Sequence, residues 1–397
     1  MNTLVVLFAK KLSGAEKRTL RYLSLCTLSS GRYTLLLNRG IFDCAIGDEE
    51  FSDLVCSLRD NQNLVVIPNP PIRFLGRLNA WYTAGLLLHM ICNRGAYDLV
   101  HSIMIHYPNL VASLFTKHKT LCEVCGPQEV PMLFGKPASR VNNRMLTSWL
   151  RFQWLRPWIL RHGHGYICVS PSVLRKFEIA LDESDLSGLK SNLHCPVVPL
   201  YVPNSNIIES SFVDSSKEKL IVYASSFYGR KNPVLFARVL ARFLKKHTDW
   251  KAAVLGGGEL EAEVKEILID ATVSGQVELI GRVATIYPYL VRSKVYVSLI
   301  TPDNYPSQSV FEAMYCKNAL LCTDVGDTGR MVGDENGILT SFEEDDVLRD
   351  LERLVDDDLE LTAKGKASRA RLLREFPSSL YVENIHAIYQ KIAKEEK

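Results

Sequence analysis

No stretch of the 397 residues reaches the roughly 18 consecutive apolar residues that a membrane-spanning helix needs. Gly85 to Cys92 comes closest, but it is short and carries His89. No basic, apolar and small-residue leader opens the chain, because Met1 to Ala9 runs straight into a strand pattern. The ten cysteines form neither a paired framework nor a zinc spacing; Cys122 and Cys125 make one C-x-x-C without a second pair. Reduced thiols filling a cytosolic core is the favoured reading. A net charge of +3 is too small to argue for nucleic acid. Histidine-cluster and paired-carboxylate patterns are missing, as are internal repeats and low-complexity segments. These absences lead us to expect a cytoplasmic protein with no metal, no cofactor and no nucleic-acid partner.

What is present is length for two full cores and a regular alternation of short apolar runs with helical patterns. Leu4 to Ala9, Tyr33 to Leu37, Leu64 to Ile67, Asp98 to Ser102, Thr120 to Val124 and Tyr166 to Ser170 read as one set of strands. Leu220 to Ala224, Ala252 to Leu255, Val277 to Ile280, Val295 to Leu299 and Ala319 to Thr323 read as a second set. Continuous apolar runs of that length suit parallel strands covered on both faces, and the alternation suits doubly wound α/β domains. Pro196 to Pro203, followed by the polar 204–217, reads as a connector between a domain at 1–203 and one at 218–376. The chain from Asp345 onward reads as charged amphipathic helices, the last of them within 377–397.

The second set carries the chemistry. Ser225-Ser226-Phe227-Tyr228-Gly229-Arg230-Lys231-Asn232-Pro233 follows its first strand and precedes a helix. Lys231 offers a point charge, Arg230 a forked donor and the helix start its unpaired amides, a combination suited to a diphosphate. An ordinary solvated basic turn is the alternative. Gly256-Gly257-Gly258 ends the next strand, where glycine permits close backbone approach to a ligand or simply a tight turn. Thr301 to Arg330 reads as a polar loop, a helix from about Val310, the strand at Ala319 and a second loop at Gly326. Glu312 on that helix could accept two hydroxyls at once, as a ribose diol presents them; otherwise it is a carboxylate favoured by the helix dipole. In the first set, Ser13-Gly14-Ala15-Glu16 forms a small-residue turn before a helix, and His101, His106 and Glu123 sit at strand ends. Lone strand-end histidines are more often structural.

Glu312-Ala313-Met314 followed by Asp324-Val325-Gly326 resembles the group 1 glycosyl transferases, whose hallmark is two glutamates separated by seven residues, then Ala-Met and a Gly-rich turn. The resemblance implies the GT-B fold: two Rossmann-like doubly wound domains facing across a cleft, with the last helix crossing back to the first. It implies a retaining, metal-independent transfer of sugar from a nucleotide-diphosphate donor to a hydroxyl acceptor. With seven residues between it and Glu312, the earlier acid position holds Asn304, with Asp303 beside it, and these two would face the transferred sugar or its diphosphate. Lys231 occupies the family's lysine place and Ser226 its arginine place, with Arg230 able to supply the charge. Gly14 matches the Gly-Gly-Ala-Glu opening loop. The first domain would supply the acceptor side, with His106 and Glu123 as candidates; where the family often has a histidine, this chain departs with Cys125-Gly126. A related hydrolase or epimerase, or a non-catalytic nucleotide-sugar binder, would share these residues.

Between Glu129 and Glu178 there is no acid, while Lys136, Arg140, Arg144, Arg151, Arg156, Arg161, Arg175 and Lys176 lie among Trp149, Trp154 and Trp158. On a helical wheel Arg140, Arg144 and Arg151 share a stripe flanked by apolar residues. An interfacial helix on an anionic membrane, serving a lipid-linked acceptor, and a core helix with surface arginines both fit.

Overall fold

The computed structural model describes residues 1–9, 12, 14–26, 32–69, 78–103, 118–125, 130, 160–203 and 217–394. The chain divides into two units: Met1–Val202 together with Ser378–Lys397, and Pro203–Pro377.

The first unit holds a seven-stranded sheet of β1 (Asn2–Leu7), β2 (Arg32–Asn38), β3 (Leu64–Ile67), β4 (Leu99–Ile103), β5 (Lys119–Val124), β6 (Gly165–Cys168) and β7 (Leu193–His194). Their order is β3-β2-β1-β4-β5-β6-β7, with every pair parallel. Leu4, Val5, Val6 and Leu7 are all buried, as a strand covered on both faces requires. Helices α1 (Gly14–Cys26), α2 (Arg39–Ile46), α3 (Ser52–Asp60), α4 (Leu78–Cys92) and α5 (Pro171–Glu183) connect them. Ser170 caps α5 by accepting from the Val173 amide at 3.2 Å, with Pro171 at the first helical position.

The second unit is built from β8 (Glu218–Ala224), β9 (Lys251–Leu255), β10 (Val277–Gly281), β11 (Ser293–Ser298), β12 (Ala319–Thr323) and β13 (Gly337–Thr340), ordered β10-β9-β8-β11-β12-β13 and again all parallel. Around it lie α6 (Pro233–Lys246), α7 (Glu261–Ile267), α8 (Ile269–Val273), α9 (Tyr287–Arg292), α10 (Gln308–Tyr315), α11 (Glu344–Val355) and α12 (Asp358–Glu375). Its core joins the inner face of α6, through Phe236, Leu240 and Phe243, to Ile221, Val254 and Val297 of the sheet.

The last helix, α13 (Ser378–Lys394), leaves the second unit and packs into the first, burying Ile385, Tyr389 and Ile392. Tyr389 Oη meets His101 Nδ1 at 2.7 Å, and Lys119 Nζ donates to the Ala393 carbonyl at 3.0 Å.

Three features differ from the sequence reading. β13 and the two-residue β7 have no counterpart there, being four and two residues long. Pro196–Pro203 is no loose connector: Val198, Leu200 and Tyr201 are buried in the first unit. Almost all of the expected linker, 204–216, falls outside the described residues. Among the described residues, no helix is long and apolar enough to cross a membrane.

Candidate active site

In both sheets the first and fourth strands of the unit lie side by side, so their loops diverge at a topological switch point, the place where doubly wound sheets bind ligands. In the second unit this point lies between β8 and β11. The loop after β8 passes through a short 3-10 turn, Gly229–Lys231, to Asn232, which adopts a left-handed conformation (φ 52°, ψ 44°) and starts α6. Pro233 at the first helical position leaves the following amides of the first turn to point outward.

Four hydrogen bonds fix this loop. Tyr223 Oη donates to the Lys231 carbonyl at 2.6 Å, and the Tyr223 ring stacks on Phe236 at 4.3 Å. The Thr301 amide donates to the Arg230 carbonyl at 2.9 Å, and Thr301 Oγ1 reaches the same oxygen at 3.4 Å. Asn232 Nδ2 donates to the Leu299 carbonyl at 2.7 Å. The loops after β8 and β11 are thus one fixed surface.

Against that scaffold the cations are left unpaired. Among the described residues neither Lys231 nor Arg230 has a carboxylate within ion-pair distance. Burial pushes the Lys231 amine down to about 8, and the neighbouring Arg230 guanidinium pushes it the same way. A half-buried cation with no partner favours an arriving anion. Ser226, at the family's arginine place, is exposed and uses its carbonyl to accept from the Tyr228 amide at 2.9 Å.

The triple glycine supports this loop from the side. Gly256 has φ +142°, and a Cβ there would overlap the Ser225 carbonyl; one at Gly258 would come within 2.6 Å of the Phe227 carbonyl. Gly257 has no such backbone conflict, and its carbonyl accepts from the Phe227 amide and from Arg282 Nη2, each at 3.2 Å. The constraint therefore falls on Gly256 and Gly258 rather than on Gly257 between them.

On the other side, Asp303 is buried; its Oδ1 accepts from the Tyr305 amide at 3.0 Å, and its Oδ2 has no hydrogen-bond partner. Gly326 (φ +54°) lies against this carboxylate, where any Cβ would overlap it. Asn304 points elsewhere: it is buried, and its Nδ2 donates to Ser298 Oγ at 3.1 Å. Glu312 sits half-buried on α10, opposite Val310, Phe311, Ala313 and Met314, which face the core. Burial holds the Tyr296 hydroxyl and the Cys316 thiol well above their usual ranges, and the Glu312 charge pushes both the same way. Lys231, Arg230, Asp303, Glu312 and Gly326 therefore belong to one edge of one sheet.

In the first unit Gly14 opens α1 and is exposed. Glu123, at the end of β5, is buried and ion-paired with Arg18 of α1; its second oxygen lies 3.8 Å from His101 Nε2. Burial, aided by the Arg18 charge, drives His101 down to about 3, so this imidazole is neutral at physiological pH. His106 lies outside the described residues, as do Lys136, Arg140, Arg144, Arg151, Arg156 and the three tryptophans of the basic stretch; Arg161, Arg175 and Lys176 are exposed. Among the described residues no group of three histidine, cysteine or acidic side chains is arranged to hold a metal.

Residues 205–371 match the family model described as Glycosyl transferases group 1. This chain carries a group 1 glycosyl transferase domain. A Campylobacter jejuni enzyme, N-acetylgalactosamine-N,N'-diacetylbacillosaminyl-diphospho-undecaprenol 4-alpha-N-acetylgalactosaminyltransferase, is 26% identical over 178 residues, 44% of this chain and 48% of that enzyme. The match thus spans about half of the relative's length. Two solved structures resemble the whole chain. Anabaena HepE in complex with UDP is 14% identical with a TM-score of 0.67, covering 98% of this chain and all of that one. The pneumococcal O-GlcNAc transferase GtfA, in complex with UDP and GlcNAc, is 11% identical with a TM-score of 0.69, covering 100% and 99%. At these identities the likeness establishes the fold, GT-B, with both units Rossmann-like. Within this glycosyl transferase domain, the residues that sequence reasoning missed are the ties: Tyr223, Asn232, Thr301 and Ser298. A tyrosine inside an apolar strand and a polar residue bonded to a carbonyl leave no pattern in sequence.

Proposed function

We propose that this protein transfers a sugar, with retention of configuration, from a nucleotide-diphosphate sugar to a hydroxyl acceptor. The observation that carries this reading is the unpartnered pair Arg230 and Lys231, held at the β8–β11 switch point beside the start of α6. Departure of the nucleoside diphosphate concentrates negative charge on its terminal phosphate. Fixed cations and amide dipoles stabilise that charge without reorganising, the effect that usually dominates such catalysis. They do what a divalent ion would otherwise do, so the reaction is proposed to need no metal. Glu312 takes the ribose hydroxyls, and Asp303 lies toward the sugar.

The acceptor is proposed to be lipid-linked, a precursor of a cell-surface glycan or polysaccharide; the C. jejuni relative, whose name includes diphospho-undecaprenol, supports this. The basic stretch 136–176 would bring the protein to the inner face of an anionic membrane, with Glu123 and His106 on the acceptor side. Calorimetric titration with UDP, GDP and ADP tests the donor reading, with UDP first because the two structural relatives hold it. Micromolar binding of one nucleotide, followed by donor-dependent glycosyl transfer to a lipid-linked acceptor, is the expected outcome. Absence of binding by all three would overturn it. One observation favours a non-catalytic sugar-nucleotide binder as the second reading: Asn304, at the earlier acid position, is turned into the core toward Ser298. Binding without any transfer would favour it.

A further inference from the structure

The first sheet ends on its slightest strand. β7 is two residues long and pairs with β6 only through Tyr166 with Leu193 and Ile167 with His194. Among the described residues no strand lies on its other edge. The chain that leaves it is nevertheless held: Val198, Leu200 and Tyr201 are buried in the first unit, and the Val197 amide donates to Asn384 Oδ1 of α13 at 3.4 Å.

One step further along the same register sets Cys195 opposite Cys168, the last residue of β6. Side chains alternate along a strand, and Tyr166 and Leu193, two residues back on each side, both pack into the core beneath α5, as Cys168 does. Cys195 therefore projects to the same face as Cys168, across a strand spacing of about 4.8 Å. A disulfide needs Cα atoms about 4.4–6.8 Å apart and both thiols on one side. On the other flank of Cys168 the register places Val124, so Cys195 is the cysteine in reach. Burial holds the Cys168 thiol well above its usual range, and the charge of Cys195, then of Glu178, pushes the same way, as close neighbours do. Cys168 is fully buried and Cys195 half-buried, so a reagent in solution meets Cys195 first.

We propose that Cys168 and Cys195 form a reversible disulfide that clips the edge strand and the root of the connector, made by exchange with a low-molecular-weight disulfide. The Cys195 thiolate attacks one sulfur of that reagent, expels the other half as a thiolate and keeps the first as a mixed disulfide. The Cys168 thiolate then attacks the Cys195 sulfur and expels the second half. Two protein thiols are oxidised, one external disulfide is reduced to two thiols, and the two protons pass to the departing thiolates. Closure is the slow step, because Cys168 is the buried thiol. The test treats the folded full-length protein with oxidised glutathione, blocks remaining thiols and digests without reduction. The expected result is one peptide pair joined through Cys168 and Cys195, with a thermal midpoint about 4 °C or more above that of the reduced protein, reversed by dithiothreitol. Cys168→Ser stops at glutathione on Cys195, and Cys195→Ser gives neither the joined pair nor the rise. Reduced Cys195→Ser keeps the wild-type midpoint, which separates loss of the bridge from loss of fold. Glutathione on wild-type Cys195 without a joined pair overturns the proposal, as does a wild type left unmodified at both cysteines. So does a joined pair that leaves the midpoint unchanged.

Discussion

The two sheets share one strand order around their first and fourth strands, and each unit has cations near that point, yet the cations are treated in opposite ways. In the first unit Arg18 is buried and bonded to Glu123, whose other oxygen faces His101, itself tied to Tyr389. Each charge there has a partner from the same chain. In the second unit Arg230 and Lys231 sit on a loop whose backbone is fully anchored and whose ammonium and guanidinium are not. The same fold therefore yields a structural knot in one place and an anion site in the other. What separates them is whether a carboxylate is supplied internally. A buried pair fixes elements to one another, whereas a half-buried cation without a partner holds its attraction in reserve for a ligand.

The sharpest break is at Arg18. Arg18→Ala leaves the buried Glu123 without its cation, and is expected to cost about 3–5 kcal/mol of stability, read as a fall in denaturant midpoint. Nucleotide affinity in the surviving folded protein should not change. Lys231→Ala should do the reverse, weakening nucleoside-diphosphate binding by about 2 kcal/mol or more, some thirty-fold in Kd, without loss of stability. Glu312→Gln comes next. It should fold normally and lose about ten-fold in kcat/KM, with a smaller loss for 2′-deoxy donors if the ribose is what Glu312 holds.

The pH response is graded, and its sign follows from Lys231. The amine sits at about 8 in the folded protein against 10.5 in the open chain. Below about 8 it is charged, and diphosphate affinity should be flat. Above 8 the unliganded amine loses its proton, so affinity should fall by up to about ten-fold per pH unit, with uptake of at most one proton on binding. Folding stability has the opposite slope in that window, since the unfolded state holds more protons between 8 and 10.5, so stability rises with pH there. Lys231→Arg, which stays charged, should flatten the affinity profile; a profile unchanged by that substitution would remove Lys231 from the phosphate grip.

The strands of both sheets were legible because a parallel strand buried on two faces has to be apolar throughout, as Leu4–Leu7 and Ala319–Cys322 are. β13 escaped notice because Gly337-Ile-Leu-Thr is too short to stand out, and it becomes a strand only through β12 beside it. Pro196–Pro203 was misleading in the other direction, since its prolines suggest a connector while Leu200 and Tyr201 fill the core. At the site, Arg230, Lys231, Glu312 and Gly326 could be named from spacing. The turn of Asn304 toward Ser298 could not, because a side-chain pair six residues apart across a loop has no periodicity. Nor could the Thr301 and Tyr223 ties, whose acceptors are backbone carbonyls that every residue possesses.

The return of α13 to the first unit has a consequence for how the protein is made. Tyr389 closes a contact with His101 that was synthesised 288 residues earlier. At about 5–20 residues per second the ribosome takes roughly 15–60 s to bridge that interval. For all of that time the nascent first unit has a bare trough where Tyr22, Tyr33 and His101 will meet the last helix, while the second unit can complete itself first. A translational pause or a stop codon just after residue 377 therefore harms the part of the protein made earliest. The second unit would emerge intact, attached to a partner that was never finished.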